Sequence, residues 1–174
     1  MINNFFQEKV DGGEGGALVL VGSASDELHI NDIVNNLVKY EIPYDLRISS
    51  AHRTTAKLLE IISEYEALSG FFVYLAIAGK TDALSGILSY HATRPVISCP
   101  PDAHNESCLN NPSGSSNTYI AHPRNAARAV AQILTSVNPK YRELLLKEMS
   151  SQQQEINTTD CNLQEYYTKG RTKC

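Results

Sequence analysis

The polar and apolar positions along the chain switch between two periods, and the switching predicts a succession of strands and helices. Residues 17–21 form a continuous apolar run with β-branched valines, which suits a strand buried on both faces. Ile30, Ile33, Val34, Leu37 and Val38 then fall on one helical face, and Glu41-Ile42-Pro43 ends that helix. Period two returns at residues 44–48, where Tyr44, Leu46 and Ile48 alternate with Asp45 and Arg47. Leu58, Leu59, Ile61, Ile62, Tyr65 and Leu68 mark a second amphipathic helix, stopped by Ser69-Gly70. Residues 71–78 read as a third strand, 83–90 as a short helix with small Ser85 and Gly86, and 95–98 as a fourth strand. A fifth strand is expected at 118–121, an Ala-rich helix at 125–137, and a last helix from Tyr141 to Met149 after the Asn138-Pro139 break.

Strands alternating with helices predict an α/β fold: a three-layer parallel sheet flanked by helices, flavodoxin- or Rossmann-like, with right-handed crossovers. The domain spans residues 17–149. Residues 1–16, ending in Gly12-Gly13-Glu14-Gly15-Gly16, read as a flexible leader. Residues 150–174 are polar, with Gln152-Gln153-Gln154, and read as a frayed helix passing into disorder. The long loop 99–117 is expected to be either functional or disordered.

Composition narrows the partners. At 174 residues the chain can bury a full core, and a net charge of −4 gives no basic footprint for nucleic acid. No apolar stretch approaches the roughly 20 residues of a membrane helix. The cysteines at 99, 108, 161 and 174 show no regular spacing, and residues 1–16 hold no apolar run of a signal peptide. A cytoplasmic protein with free thiols is expected.

Three turns follow three strands, at residues 22–26, 49–54 and 79–82, and a parallel sheet delivers all three to one edge. Open α/β sheets bind ligands there. The turns bring hydroxyls, helix N-termini, Arg53, Lys80, two carboxylates and His52. That set suits a phosphorylated small molecule, with arginine pairing the phosphate and histidine moving a proton near neutral pH. Ser23 with Asp26 also has the form of a helix capping box, and Lys80 with Asp82 that of an exposed turn pair. Cys99, His104, Cys108 and His122 match no standard zinc spacing, and there is no Gly-x-Ser-x-Gly elbow. Gly79-Lys80-Thr81 lacks the upstream glycine of a phosphate-binding P-loop, since position 74 is Tyr74.

Taken together, Gly22-Ser23-Ala24-Ser25-Asp26, Ser50-Ala51-His52-Arg53-Thr54, Ala78-Gly79 and Pro95-Val96-Ile97 leading into Cys99-Pro100-Pro101 resemble the aminoimidazole ribonucleotide (AIR) carboxylase family of purine biosynthesis. The resemblance runs from about Ala17 to Met149. One branch of that family joins CO2 to AIR directly, as in the animal bifunctional enzyme; the other is a mutase acting on N5-carboxyaminoimidazole ribonucleotide. Ser98-Cys99-Pro100-Pro101 and Ala83-Leu84-Ser85-Gly86 are similar to the carboxylase branch, whereas His52-Arg53 is the mutase form. Lys80 and Asp82 stand where the carboxylase branch has Arg and Asn, and the loop before Pro112 is short, which keeps a non-catalytic phosphoribosyl-ligand binder as an alternative.

The resemblance implies a phosphoribosylaminoimidazole carboxylase interconverting AIR plus CO2 and 4-carboxy-AIR in de novo purine (IMP) biosynthesis. His52 would be the catalytic proton carrier. Gly22, Ser23, Ser25 and Asp26 would bind the phosphoribosyl group, with Ser50, Ala51 and Arg53 completing the phosphate site. Gly79, Lys80, Thr81 and Asp82 would border the substrate and CO2, with Cys99 and Pro100 in the CO2 pocket. Ser113 and Gly114 would belong to a loop closing over the ligand. The branch requires no metal, biotin or ATP, and the family forms homo-octamers with sites between subunits.

Overall fold

The computed structural model describes residues 1–171. Five parallel strands form one sheet in the order β2-β1-β3-β4-β5: β1 Gly16–Val21, β2 Tyr44–Ile48, β3 Phe72–Ile77, β4 Val96–Ser98 and β5 Asn117–Tyr119. This is the doubly wound order of flavodoxin-like folds, with the strand order reversing at β1. The crossover helices are α2 Glu27–Lys39, α3 Thr55–Glu66 and α4 Ala83–His91, while α1 Asn4–Asp11 precedes the sheet and α5 Pro123–Leu134 and α6 Lys140–Arg171 follow its last strand. β1 and β3 are buried along their whole length, as their unbroken apolar runs require.

Side chains alternate across the sheet and build two cores. On one face Ala17, Val19, Val21, Val73, Leu75 and Ile77 meet Ile30, Ile33 and Leu37 of α2, Ala127, Val130 and Ala131 of α5, and Leu145 of α6. On the other, Leu18, Leu20, Phe72, Tyr74 and Ala76 meet Leu58, Ile61 and Tyr65 of α3, Leu84 and Leu88 of α4, and Phe6 and Val10 of α1.

Three segments depart from the sequence expectation. Residues 4–11, expected within a flexible leader, are helical, because Asn3 caps the helix and Phe6 and Val10 are four residues apart on one buried face. Asp11 fastens the helix end by accepting from Ser69 and Gly70 amides at 3.0 Å each and from the Ser69 hydroxyl at 2.8 Å. Gly70 is essential to this docking: a Cβ there would stand 1.9 Å from the Val10 carbonyl oxygen. At the other end, α6 continues as one helix through Arg171 where the sequence predicts a frayed helix passing into disorder; residues 172–174 of that tail lie outside the described residues. Tyr141 and Leu145 bury its first turns, and Glu148 ties it down by accepting from Tyr40 (2.5 Å), Lys39 (2.9 Å) and Arg124 (3.2 Å).

Strand β2 inverts its expected alternation. Asp45 is the buried residue and Leu46 and Ile48 are exposed, because β2 is an edge strand and the α3 face supplies a polar partner: the Tyr65 hydroxyl donates to Asp45 at 2.6 Å.

Candidate active site

The turns after β1, β2 and β3 converge at the carboxyl edge of the sheet around a cleft of about 480 Å³. It is lined by Gly22, Ser23, Asp26, Ser50, Ala51, His52, Arg53, Gly79, Lys80 and Thr81, with Ala78, Ala83 and Leu84 as an apolar floor that sequence reading did not assign to the site. A second groove of about 530 Å³ lies beside β2, lined by residues of α1, the end of α2 and the start of β2, away from this edge.

The first turn leaves β1 with the Gly22 amide donating to the Ile77 carbonyl at 2.9 Å, which fixes it against β3. The capping box foreseen there does not form. Ser23 instead caps a 3-10 turn, Ala24–Asp26, accepting from the Ser25 amide at 3.3 Å. Asp26 makes no side-chain cap to α2, and its carboxylate accepts only the Ser25 hydroxyl, at 3.2 Å, among the described residues. Both side chains therefore remain available to the cleft.

The second turn is knit by its own hydroxyls. The Ser49 amide donates to the Val21 carbonyl at 2.9 Å, and Ser49 and Thr54 hydroxyls lie 3.0 Å apart. The Ser50 amide donates to Thr54 Oγ1 at 2.9 Å, the Arg53 amide to Ser50 Oγ at 3.3 Å, and the Thr55 hydroxyl to the Ala51 carbonyl at 2.6 Å. This self-bonded loop holds His52 and Arg53 outward. Among the described residues neither side chain has a hydrogen bond or ion-pair partner, so the imidazole nitrogens and the guanidinium face the opening uncommitted.

The third turn corrects the role expected of Asp82. Its carboxylate is buried (3% exposed) beneath α4, where it accepts from the Ser85 amide at 2.9 Å and the Ser98 hydroxyl at 2.7 Å. It caps the helix and does not line the cleft, because the N-terminus of α4 offers unpaired amides in a buried place. Arg53 and Lys80 thus stand against Asp26 alone among the fixed charges of the lining, a balance suited to an anionic ligand.

Other expected residues lie elsewhere. Cys99 and Pro100 are buried outside the cleft lining. The Cys99 thiol packs in the core beside α2, 3.6 Å from His29 Nε2, and burial with the nearby Asp32 charge pushes it up to about 12, so it stays a neutral thiol. Ser25 is exposed at the rim. Ser113 belongs to a separate groove of about 410 Å³ on the outer side of α4 with Gly86, Tyr90 and His91, and Gly114 packs against the Tyr90 ring. Ala83 borders both grooves, so the two are neighbours across the start of α4. Among the described residues no three His, Cys, Asp or Glu side chains gather as a metal site, and no helix is long and apolar enough to cross a membrane.

Fold and cleft define a flavodoxin-like α/β protein whose strand-end turns present hydroxyls, cations and a histidine to one ligand-sized opening. The family model for AIR carboxylase matches residues 17–155, and the chain belongs to that family, which acts in purine biosynthesis. It is 34% identical over 152 residues to the phosphoribosylaminoimidazole carboxylase of Treponema denticola, covering 84% of this chain and 96% of that one. The carboxylase of Archaeoglobus fulgidus is 35% identical over 155 residues, covering 85% of each. Against the human bifunctional phosphoribosylaminoimidazole carboxylase/phosphoribosylaminoimidazole succinocarboxamide synthetase the identity is 33%, over 84% of this chain and 37% of that protein. The crystal structure of Treponema denticola PurE superposes with a TM-score of 0.82 at 33% identity, covering 86% of this chain and 98% of that one.

Proposed function

We propose that the chain is a phosphoribosylaminoimidazole carboxylase that interconverts AIR plus CO2 and 4-carboxy-AIR without a metal, biotin or ATP. The observation that carries the reading is the burial of Asp82. The carboxylate that would repel a forming carboxylate product is used up under α4, and Lys80 is the charge left on the turn bordering the cleft. Ser98-Cys99-Pro100-Pro101 and the carboxylases among the relatives favour the CO2-using branch.

In this reading Arg53 and the Ser50 hydroxyl take the phosphate, the Ser23 hydroxyl pairs with the ribose hydroxyls and the Asp26 carboxylate accepts from them. The ring then lies near His52. Carbon 4 of AIR, made nucleophilic by the amino group, attacks the carbon of CO2; the new C–C bond forms as one C–O π pair moves onto oxygen. The product carboxylate faces Lys80. His52 removes the proton from carbon 4, and the ring regains aromaticity. The reverse reaction returns that proton and expels CO2. Positioning and water exclusion supply most of the acceleration. Ser113 and Gly114, absent from this cleft, would serve the cleft of a neighbouring copy in a cytoplasmic homo-octamer.

The test is isotopic bicarbonate exchange into carboxy-AIR by wild type and His52→Asn. The variant should lose about 10²–10⁴-fold in turnover yet still gain thermal stability from AIR as RT ln(1 + [L]/Kd). The mutase reading, favoured by His52-Arg53, predicts turnover of the N5-carboxy compound without uptake of free CO2. Stabilisation by AIR with neither activity would point to a non-catalytic binder.

A further inference from the structure

We infer that Asp102 and Ser107, in the loop after β4, are positioning residues that brace the 79–82 turn and so set where Lys80 stands at the cleft. Lys80 adopts φ +60, a left-handed conformation that a lysine rarely takes unless its surroundings impose it. Those surroundings are supplied by one short stretch of chain. The Asp102 carboxylate accepts the Lys80 amide at 2.5 Å and lies against the Gly79 Cα, where a Cβ would come within 3.0 Å of the same oxygen. Ser107 grips the other side: its hydroxyl oxygen accepts the Asp82 amide at 2.9 Å and reaches the Lys80 carbonyl at 3.2 Å. Asn105 Oδ1 lies 2.8 Å from the same hydroxyl, sharing its one proton with the Lys80 carbonyl, and also accepts the Ser107 amide at 3.3 Å.

The backbone of the turn is therefore held by side chains more than twenty positions away in sequence, as well as by its own Ala83-to-Thr81 bond. Neither Asp102 nor Ser107 lines the cleft, so neither would touch the ligand in this structure. Without Asp102 the Lys80 amide loses its acceptor, and the left-handed turn is free to relax toward ordinary φ. That relaxation would swing the Lys80 ammonium and widen the pocket on the CO2 side, while the phosphate side, built on the 49–54 loop, keeps its own bonds. The link to rate rests on the carboxylase reading; the brace itself does not.

Amide hydrogen exchange of the peptide covering residues 78–84, in wild type, Asp102→Ala, Asp102→Asn and Ser107→Ala, tests the brace without any substrate. Exchange should rise at least about tenfold in Asp102→Ala and Ser107→Ala, as expected when a hydrogen-bonded amide opens locally, and return toward wild type in Asp102→Asn, which keeps an acceptor oxygen. Exchange unchanged in both loss variants overturns the brace. Carboxylation assays on the same proteins test the positioning role. The apparent KM for bicarbonate should rise about ten- to a hundredfold in Asp102→Ala, with AIR-induced stabilisation retained and the loss largely restored in Asp102→Asn. Faster exchange with unchanged kinetics overturns the positioning role. An inactive wild type refutes the carboxylase reading instead, and the brace then stands or falls on exchange alone.

Discussion

Replacing Glu148 by glutamine should cost stability in a way that disappears in acid. The side chain is 7% exposed and lies among Lys39 Nζ (2.9 Å), Arg124 Nη2 (3.2 Å), Arg128 Nε (3.6 Å) and the Tyr40 hydroxyl (2.5 Å). Burial alone would raise its pKa, but hydrogen bonds from Tyr40, Lys39 and Arg124 outweigh that and hold it at about 2, down from 4.5. That depression corresponds to about 3 kcal/mol. Lys39 and Arg124 are half exposed, so solvent screening takes part of this, and about 2 kcal/mol is the expected loss at pH 7. A depressed carboxylate pKa contributes fully above the unfolded value near 4.5 and is lost as pH falls toward 2, so the gap should shrink to less than half by about pH 3. Urea unfolding of wild type and Glu148→Gln at pH 7, 5 and 3, at one protein concentration, measures it. A gap that is constant with pH would show that Glu148 acts through packing and not through its charge.

Two further outcomes follow from the geometry. Arg53→Ala should weaken AIR binding by about tenfold or more through loss of a charge-assisted phosphate contact, read by the ligand-induced shift in melting temperature. It should leave the unliganded melting temperature nearly unchanged, since the guanidinium has no partner among the described residues. Phe6→Ala should destabilise the protein by about 3–4 kcal/mol, because the ring is fully buried against Tyr65 and Phe72. If residues 1–16 were a passive leader, urea unfolding would not register the change.

The fold was legible where apolar runs were long. β1 and β3 announce themselves as buried strands, and the i, i+3, i+4 faces of α2 and α3 placed their buried residues with two exceptions, the exposed Val38 and Leu59. Reading failed where a tertiary partner decided the matter. Asn3, Phe6 and Val10 carried a helix signal, but the neighbouring polar residues and glycines hid it until Asp11 and Gly70 supplied a dock. The turns of the site were legible because parallel strands must deliver their ends to one edge. The division of labour within them was not. Spacing gave Ser23 and Asp26 the form of a cap and the family resemblance gave Asp82 a place beside the CO2 pocket, whereas the structure frees Asp26 and commits Asp82 to α4. Asp102 carried no sequence signal, since its target is a backbone amide 22 positions away.

The inverted strand β2 also works as a registration key. The Asp45 carboxylate accepts the Tyr65 hydroxyl and the Asn3 amide, and only this residue of the strand can satisfy both donors. Sliding β2 by one residue along β1 would bring Tyr44 or Leu46 to that spot and take the carboxylate away from the buried Tyr65 hydroxyl and from the Asn3 amide. The same slip would carry the Ser49–Thr54 loop, and His52 with it, about 3.3 Å along the strand direction. One buried carboxylate at the far end of an edge strand thus fixes the position of a histidine that it never touches.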